Sequence, residues 1–369
     1  MATVSPAATC PTCTKSTNWS NDTWASHKEA AMGSNIFGGK RDAWLLVLVM
    51  LVAVLVFALI TSEFRLNNFA ITLVSGLFQG MLLFLVASGL SLVFGLMDIL
   101  NFAQGAYFMV GAYLAYDLQH ATGVFNITEA VPDPNIRFIV GVIVAILVGA
   151  FLGWVLERWL LRPLYDRPLF QLVLTFGVSI IMLEGIRNIW NTTPYSWTEV
   201  FGIREAQFTL FGQDFSMYRL FVIGVGVLLI IGIALLLRRT RLGIVVRAGV
   251  EDPEMVSALG INVRVVFTLV FTLGCAVAAF GGAIAAPFLG ATISLGATFL
   301  IQSIAVIVLG GLGSYEGTAV GSIIVGLALA TMQQFSIQVS IPVLATITPM
   351  LLLVLVLMVR PQGLFGEAR

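Results

Sequence analysis

From Trp44 onward the chain is a succession of long apolar runs divided by short polar interruptions. The runs are continuous and show no alternation, so they predict helices; a half-buried strand would repeat every two residues. Ten segments qualify: Trp44–Thr61, Phe69–Gly95, Asn101–Leu118, Arg137–Glu157, Leu169–Trp190, Arg219–Leu237, Val265–Ala286, Phe299–Gly311, Gly317–Phe335 and Ile341–Val359. Most approach the ~20 residues that a helix needs to cross a hydrocarbon core. Phe299–Gly311 is short for a full span and reads as half of a broken or re-entrant helix. The expected fold is all-α and integral to a membrane, a polytopic helical bundle of about ten crossings. In lipid every backbone polar group must be satisfied within the protein, which leaves helices or a closed barrel, and the pattern selects helices.

Within these runs small residues recur every four positions, at Gly141, Ala145, Gly149 and Gly153 and again at Gly274, Ala278, Gly282 and Ala286. Close helix packing accounts for both stripes. Lining a solute path is the other use such residues have.

Composition agrees with a membrane solvent. Hydrophobic residues make up 59% of the chain and charged residues 10%, against about 25% charged in a soluble domain. The formal net charge is zero and the basic residues are scattered, so no nucleic-acid surface is indicated. Residues 1–42 are polar, carry all three lysines and have no apolar stretch like that of a secretory signal. They read as a disordered tail ahead of a membrane domain spanning 43–369. Cys10 and Cys13 form a lone CPTC without a second pair, Cys275 lies in an apolar run, and His27 and His120 form no cluster. No metal site and no cofactor is expected.

Arginine placement orients the bundle. Arg158, Arg162 and Arg167 crowd one short loop; Arg238, Arg239, Arg241, Arg247 and Arg264 crowd another; Arg360 and Arg369 follow the last run, and Lys40 and Arg41 precede the first. With ten crossings all of these fall on one side. The positive-inside rule makes that side cytoplasmic, with both termini on it.

Catalytic signatures are missing from the sequence. It holds no G-x-x-x-x-G-K-[ST], no H-E-x-x-H and no paired acids at i, i+4 within a run. A transport role without covalent chemistry is therefore expected, and any nucleotide hydrolysis falls to other chains. Two runs are interrupted by polar, glycine-rich turns, within Ser88–Tyr116 and Ile304–Ala330, like a loose parallel repeat. Such breaks either cap and turn a helical hairpin or expose backbone and side chains to a solute. Gln79, Gln302 and Gln333 are polar residues at membrane depth. Candidate solute-path residues are accordingly Gln79, Asp98, Asn101, Gln104, Gln302 and Glu316. Glu184 and Arg187, at i and i+3, suit a structural ion pair.

The segment 238–264 carries more charge than a turn requires. Asp252 suits an N-cap, Pro253 the first helical position, Glu254 the positive helix end and Gly260 the C-terminal stop. They bound a helix of about two turns, Pro253–Leu259, with Met255 and Leu259 on one face and Val256 adjoining. So short a helix is unstable alone. It must dock on the protein's own surface or in a groove of a cytoplasmic partner.

The spacing Glu254–Gly260 is similar to the E-A-A-x-x-x-G loop of bacterial ABC importer permeases. RAGVEDPEMVSALGINV, NFAQGAYFMVGAY, RPLYDRP, VLGGLGSYEGTAVG and the closing VRPQGLFG resemble segments of the branched-chain amino-acid importer family, in order, from about Gly76 to Gly366. The match departs at Met255-Val256 in place of two alanines and at Gln104, where a histidine is common. The resemblance implies a permease subunit of a binding-protein-dependent importer in the bacterial inner membrane. It also implies a second permease subunit, two cytoplasmic ATPase subunits and a periplasmic solute-binding protein. Asp252, Pro253, Glu254, Met255, Val256, Leu259 and Gly260 would then couple the ATPases to the spans. Branched-chain amino acids are the family's usual solutes, with urea, short amides and aromatic acids carried by similar subunits. The alternative is a stand-alone secondary transporter or channel for a small polar solute, which would need buried ionisable groups and no docking helix.

Overall fold

The structure is a computed structural model that describes residues 40–62, 64–97, 99–121, 123–125, 127–165, 167–199, 201–210, 213–251, 253–260 and 262–366. The tail to residue 39, with its CPTC, lies outside the described residues, as do Asp98, Asp252 and Arg369. In chain order the elements are α1 (Lys40–Thr61), α2 (Leu66–Met97), α3 (Gln104–Gln119), α4 (Pro134–Val155), α5 (Pro168–Trp190) and the single turn α6 (Gly202–Glu205). A hairpin follows, β1 (Gln207–Leu210) paired antiparallel with β2 (Gln213–Ser216). Then come α7 (Met217–Arg239), α8 (Arg241–Glu251), α9 (Pro253–Ala258), α10 (Val263–Leu289), α11 (Ser294–Gly310), α12 (Tyr315–Val339) and α13 (Val343–Val359).

Each of the ten apolar runs falls in one helix, with ends moved by about a turn. Among the described residues, seven helices are long and apolar enough to cross a membrane: α1 from Ala43, α2, α4, α5, α7, α10 and α12. The other three, α3, α11 and α13, have 16, 17 and 17 residues. At 1.5 Å per residue they reach roughly 24–26 Å, short of a ~30 Å hydrocarbon core. The short run Phe299–Gly311 extends upstream into α11 because Ser294–Thr298 continues the helix. Val173 on α5, Ile181 on α5 and Leu228 on α7 are 70%, 71% and 72% exposed. Water would penalise such a face; lipid does not, so these helices present it outward.

Val47–Arg369 form one unit, centred on α2, α3, α10 and α12. Glycines set the closest crossings. A Cβ on Gly326 of α12 would overlap the backbone of Gly80 on α2, and one on Gly282 of α10 would overlap Phe108 of α3. Both small-residue stripes serve packing: Gly149 and Gly153 of α4 lie against Cys275 and Ala279 of α10, and Gly274 of α10 lies against Gly89 of α2.

The two polar interruptions become tight turns that meet. Gly95 lies against Gly313. Ser314 caps α12 by accepting from Gly317 N at 3.1 Å. The closing QGLFG segment satisfies carbonyls at the end of α11: Leu364 N donates to Leu309 O and Phe365 N to Gly310 O, each at 2.9 Å. The charged segment after α7 also differs from expectation. It forms two helices where one was expected, because Arg241–Glu251 is itself helical, with Val246 buried and Ile244 exposed.

Candidate functional site: an amide-lined cavity and a surface helix

Three helices each bring a polar residue to one cavity of about 190 Å³. On α2, Gln79 stands one turn below Ser75; on α11, Gln302 stands one turn from Thr298; on α12, Gln333 stands one turn from Leu329. Gln79 Nε2 donates to Gln333 Oε1 at 2.8 Å. Gln79 Oε1 is buried and has no hydrogen-bond partner, and the Gln302 amide has none among the described residues. Phe78, Leu82, Leu83, Phe288 and Phe299 supply apolar walls. Phe78 and Phe288 meet edge to face at 4.5 Å between ring centroids. Amides donate and accept without titrating near neutrality, so these groups suit a small polar solute.

The structure places the other predicted path residues elsewhere. Asn101 and Gln104 are fully buried and tie the start of α3 to α10. Asn101 Nδ2 donates to Gln104 Oε1 at 3.2 Å, and Gln104 Nε2 donates to Gly274 O at 2.8 Å. Glu316 forms an exposed ion pair with Arg238, joining the start of α12 to the end of α7. Asp98 lies outside the described residues. Glu184 and Arg187 pair at 2.6 Å, and Arg187 stands at a second, larger cavity of about 660 Å³ between α3, α5 and α11.

On the coupling segment, α9 packs on α8 and the start of α10. Leu259 N donates to Met255 O at 3.2 Å, and Gly260 then adopts φ +82°, the left-handed stop that glycine supplies freely. Met255 and Leu259 are 62% and 71% exposed, whereas Val256 is 4% exposed and turned inward. The outward face is therefore Met255 with Leu259; Val256, expected beside them, holds the helix to the protein instead, because successive helical residues point about 100° apart. Pro253 and Glu254 lie in α9, and Asp252 lies outside the described residues.

At the opposite ends of these spans the loops form an aromatic cluster that sequence reading missed. Tyr116, His120, Trp197, Phe138 and Phe201 stack or meet edge to face. His120 Nδ1–H donates to Tyr116 O at 2.9 Å, and Nε2 accepts from the backbone N–H of Thr198 at 3.2 Å and Glu199 at 3.4 Å. Burial pushes the imidazole below its ordinary pKa. Asp117 accepts from Val124 N, Phe125 N and Trp190 Nε1 at 2.6–2.8 Å, fixing the loop after α3. Residues scattered over 116–201 reveal this cluster only once the loops fold back.

Long apolar helices packed around an amide-lined chamber are the architecture of a polytopic membrane protein. Residues 72–359 match the branched-chain amino acid transport system / permease component family, and the chain belongs to it. It is a permease component and not an enzyme. It is 28% identical over 295 residues to the high-affinity branched-chain amino acid transport system permease protein LivH of Salmonella typhimurium, covering 77% of this chain and 91% of that protein. It is 30% identical over 309 residues to the corresponding protein BraD of Pseudomonas aeruginosa, covering 80% and 95%. The permease protein LivM of Escherichia coli is 27% identical over 311 residues, covering 78% and 69%. No solved structure matches the chain.

Proposed function

We propose that this chain is one membrane-spanning subunit of an ATP-driven, binding-protein-dependent importer of branched-chain amino acids or closely related small solutes. It sits in the bacterial inner membrane with the 238–264 coupling segment and both termini in the cytoplasm. Residues 1–42 form a tail and 43–369 the permease domain. A second permease subunit completes the path; the chain's similarity to both LivH and LivM of Escherichia coli, two permease proteins of one organism, supports such a pairing. Two cytoplasmic ATPase subunits and an external solute-binding protein complete the assembly.

The observation that carries this reading, beyond family membership, is the exposed Met255–Leu259 face on a helix too short to be stable alone. Methionine adapts its shape to a partner groove. Closure of the ATPase pair moves α9, and α9 moves α10 directly and α7 through α8, opening the Gln79–Gln302–Gln333 chamber to alternate sides. Replacing Glu254 with Lys and Gly260 with Val together is expected to leave insertion intact and to uncouple ATP hydrolysis from solute uptake. Normal uptake by that double variant, or uptake in vesicles without the ATPases, overturns the proposal in favour of a self-sufficient transporter.

A further inference from the structure

Arg219 is the third residue of α7 (Met217–Arg239), about 29 Å along that helix from Arg238 at 1.5 Å per residue. It is half-buried, and its partners are uncharged. Nη1 donates to Ser75 Oγ at 2.9 Å, and the guanidinium carbon lies 5.4 Å from the centroid of the Phe288 ring. Three other arginines are neutralised by carboxylates. Arg137 pairs with Glu199 at 3.7 Å, Arg187 with Glu184 at 2.6 Å, and Arg238 with Glu316. An arginine that served only as an interfacial anchor would extend its head to water. This one is turned inward onto a ring and a hydroxyl. An arginine at membrane level without a counter-ion is a functional candidate by default.

What it faces gives the charge a purpose. Phe288 is both the ring beneath Arg219 and a wall of the amide chamber, where its edge meets Phe78. Ser75, which holds the guanidinium, lies one turn from Gln79 on the same face of α2. Gln79 Oε1 is buried there without a donor. The serine that holds a positive charge without a counter-ion thus lies one helical turn from the residue with an unpaired acceptor, and aromatic and leucine side chains line the cavity beside that residue. That sequence of groups complements a small α-amino acid with an apolar side chain: carboxylate, ammonium and hydrocarbon.

We propose that Arg219 receives the carboxylate of the solute at the mouth of the chamber, with Phe288 as the ring that stands between mouth and chamber. The ammonium group then donates to Gln79 Oε1. The inference rests on the solute path proposed above and adds a charged group to it.

The assembled permease–ATPase complex in nanodiscs, without its binding protein, provides the test. Binding of L-leucine is compared with binding of L-leucinamide, which keeps the ammonium and the side chain but lacks the carboxylate. The wild type is expected to favour leucine by about tenfold or more, as for a charge-assisted hydrogen bond to carboxylate. Arg219→Gln is expected to lose that preference and Arg219→Lys to keep part of it, while Gln79→Leu weakens both ligands alike. A merely structural arginine would leave the preference unchanged in whatever folded fraction remains. Arg219→Gln that still favours leucine, or a wild type that binds neither ligand or both equally, overturns the inference. ATP-dependent leucine uptake by the complete system reads the importer proposal separately: uptake with an unchanged preference in Arg219→Gln sinks only the role given to Arg219.

Discussion

Gln79 Nε2 donates to Gln333 Oε1 across 2.8 Å, joining α2 to α12 between residues 254 positions apart. Among the described residues that line the chamber, it is the only side-chain hydrogen bond between two lining residues. It leaves Gln79 Oε1 buried without a partner, so the pair holds two helices together and keeps one unsatisfied acceptor on a residue that lines the cavity. Interhelical hydrogen bonds in membranes are worth only about 0.6 kcal/mol on average. Gln79→Leu and Gln333→Leu are therefore expected to melt within a few degrees of the wild type in detergent while uptake falls severalfold. Unchanged uptake in both variants would remove this cavity from the solute path.

The α2–α12 crossing should tolerate no side chain at Gly326, whose Cβ would overlap the Gly80 backbone. Neither main chain can give way cheaply, so Gly326→Val is expected to cost about 1–3 kcal/mol or more, as overpacking does. Gly177 on α5 faces open space, with nothing within 4 Å of where a Cβ would stand. Gly177→Ala is expected to be neutral or to stabilise by up to about 1 kcal/mol through helix propensity. Thermal melting of the two purified variants side by side checks both signs.

Adjacent residues of α9 should separate docking from folding. Met255→Asp and Leu259→Asp alter an exposed face, so melting should hold while co-purification with the ATPase subunits is lost. Val256→Asp places a carboxylate at a site 4% exposed, and burying an unpaired charge is expected to destabilise the 238–264 segment itself. Gly260→Val forces a branched residue to φ +82°, at a cost of about 1–3 kcal/mol. If Met255→Asp and Val256→Asp behave alike, the distinction drawn between the two faces is wrong.

His120 should make the outer loops sensitive to acid. Its Nε2 accepts from Thr198 N and Glu199 N, so a proton there would meet two N–H donors. Burial dominates and lowers the pKa from 6.5; Glu199 favours the charged ring, and Arg137 and Arg204 oppose it. A lowered histidine pKa means that the open state binds the proton more readily than the closed state. Loop docking is then fully present above the ordinary value and weakens as pH falls below it. Amide exchange at Thr198 and Glu199 is expected to accelerate between neutral pH and pH ~5 beyond the intrinsic trend. Asn in place of His120 should abolish that excess; an excess that persists in His120→Asn points to another group.

Several elements were legible in the residues alone. Ten helices followed from apolar run length, and the Pro253 start and Gly260 stop followed from the conformations those residues favour. The helix Arg241–Glu251 was not legible, because two glycines in eleven residues argue against a helix until Val246 finds a buried place. Of the path residues, Gln79 and Gln302 meet in one chamber, whereas Asn101 and Gln104 satisfy each other and Gly274. Sequence alone gives these glutamines one chemistry and no means of telling a lining group from a tie.

By itself the sequence determined the solvent, the helices and the family, because hydrocarbon accepts only self-satisfied backbone and long apolar runs are a one-dimensional signal. Tertiary structure alone decided which polar side chains converge. Which face of a helix meets which neighbour depends on crossings fixed hundreds of residues away, such as Gly80 against Gly326. Those crossings bring Gln79, Gln302 and Gln333 to one cavity and turn Arg219 toward its wall.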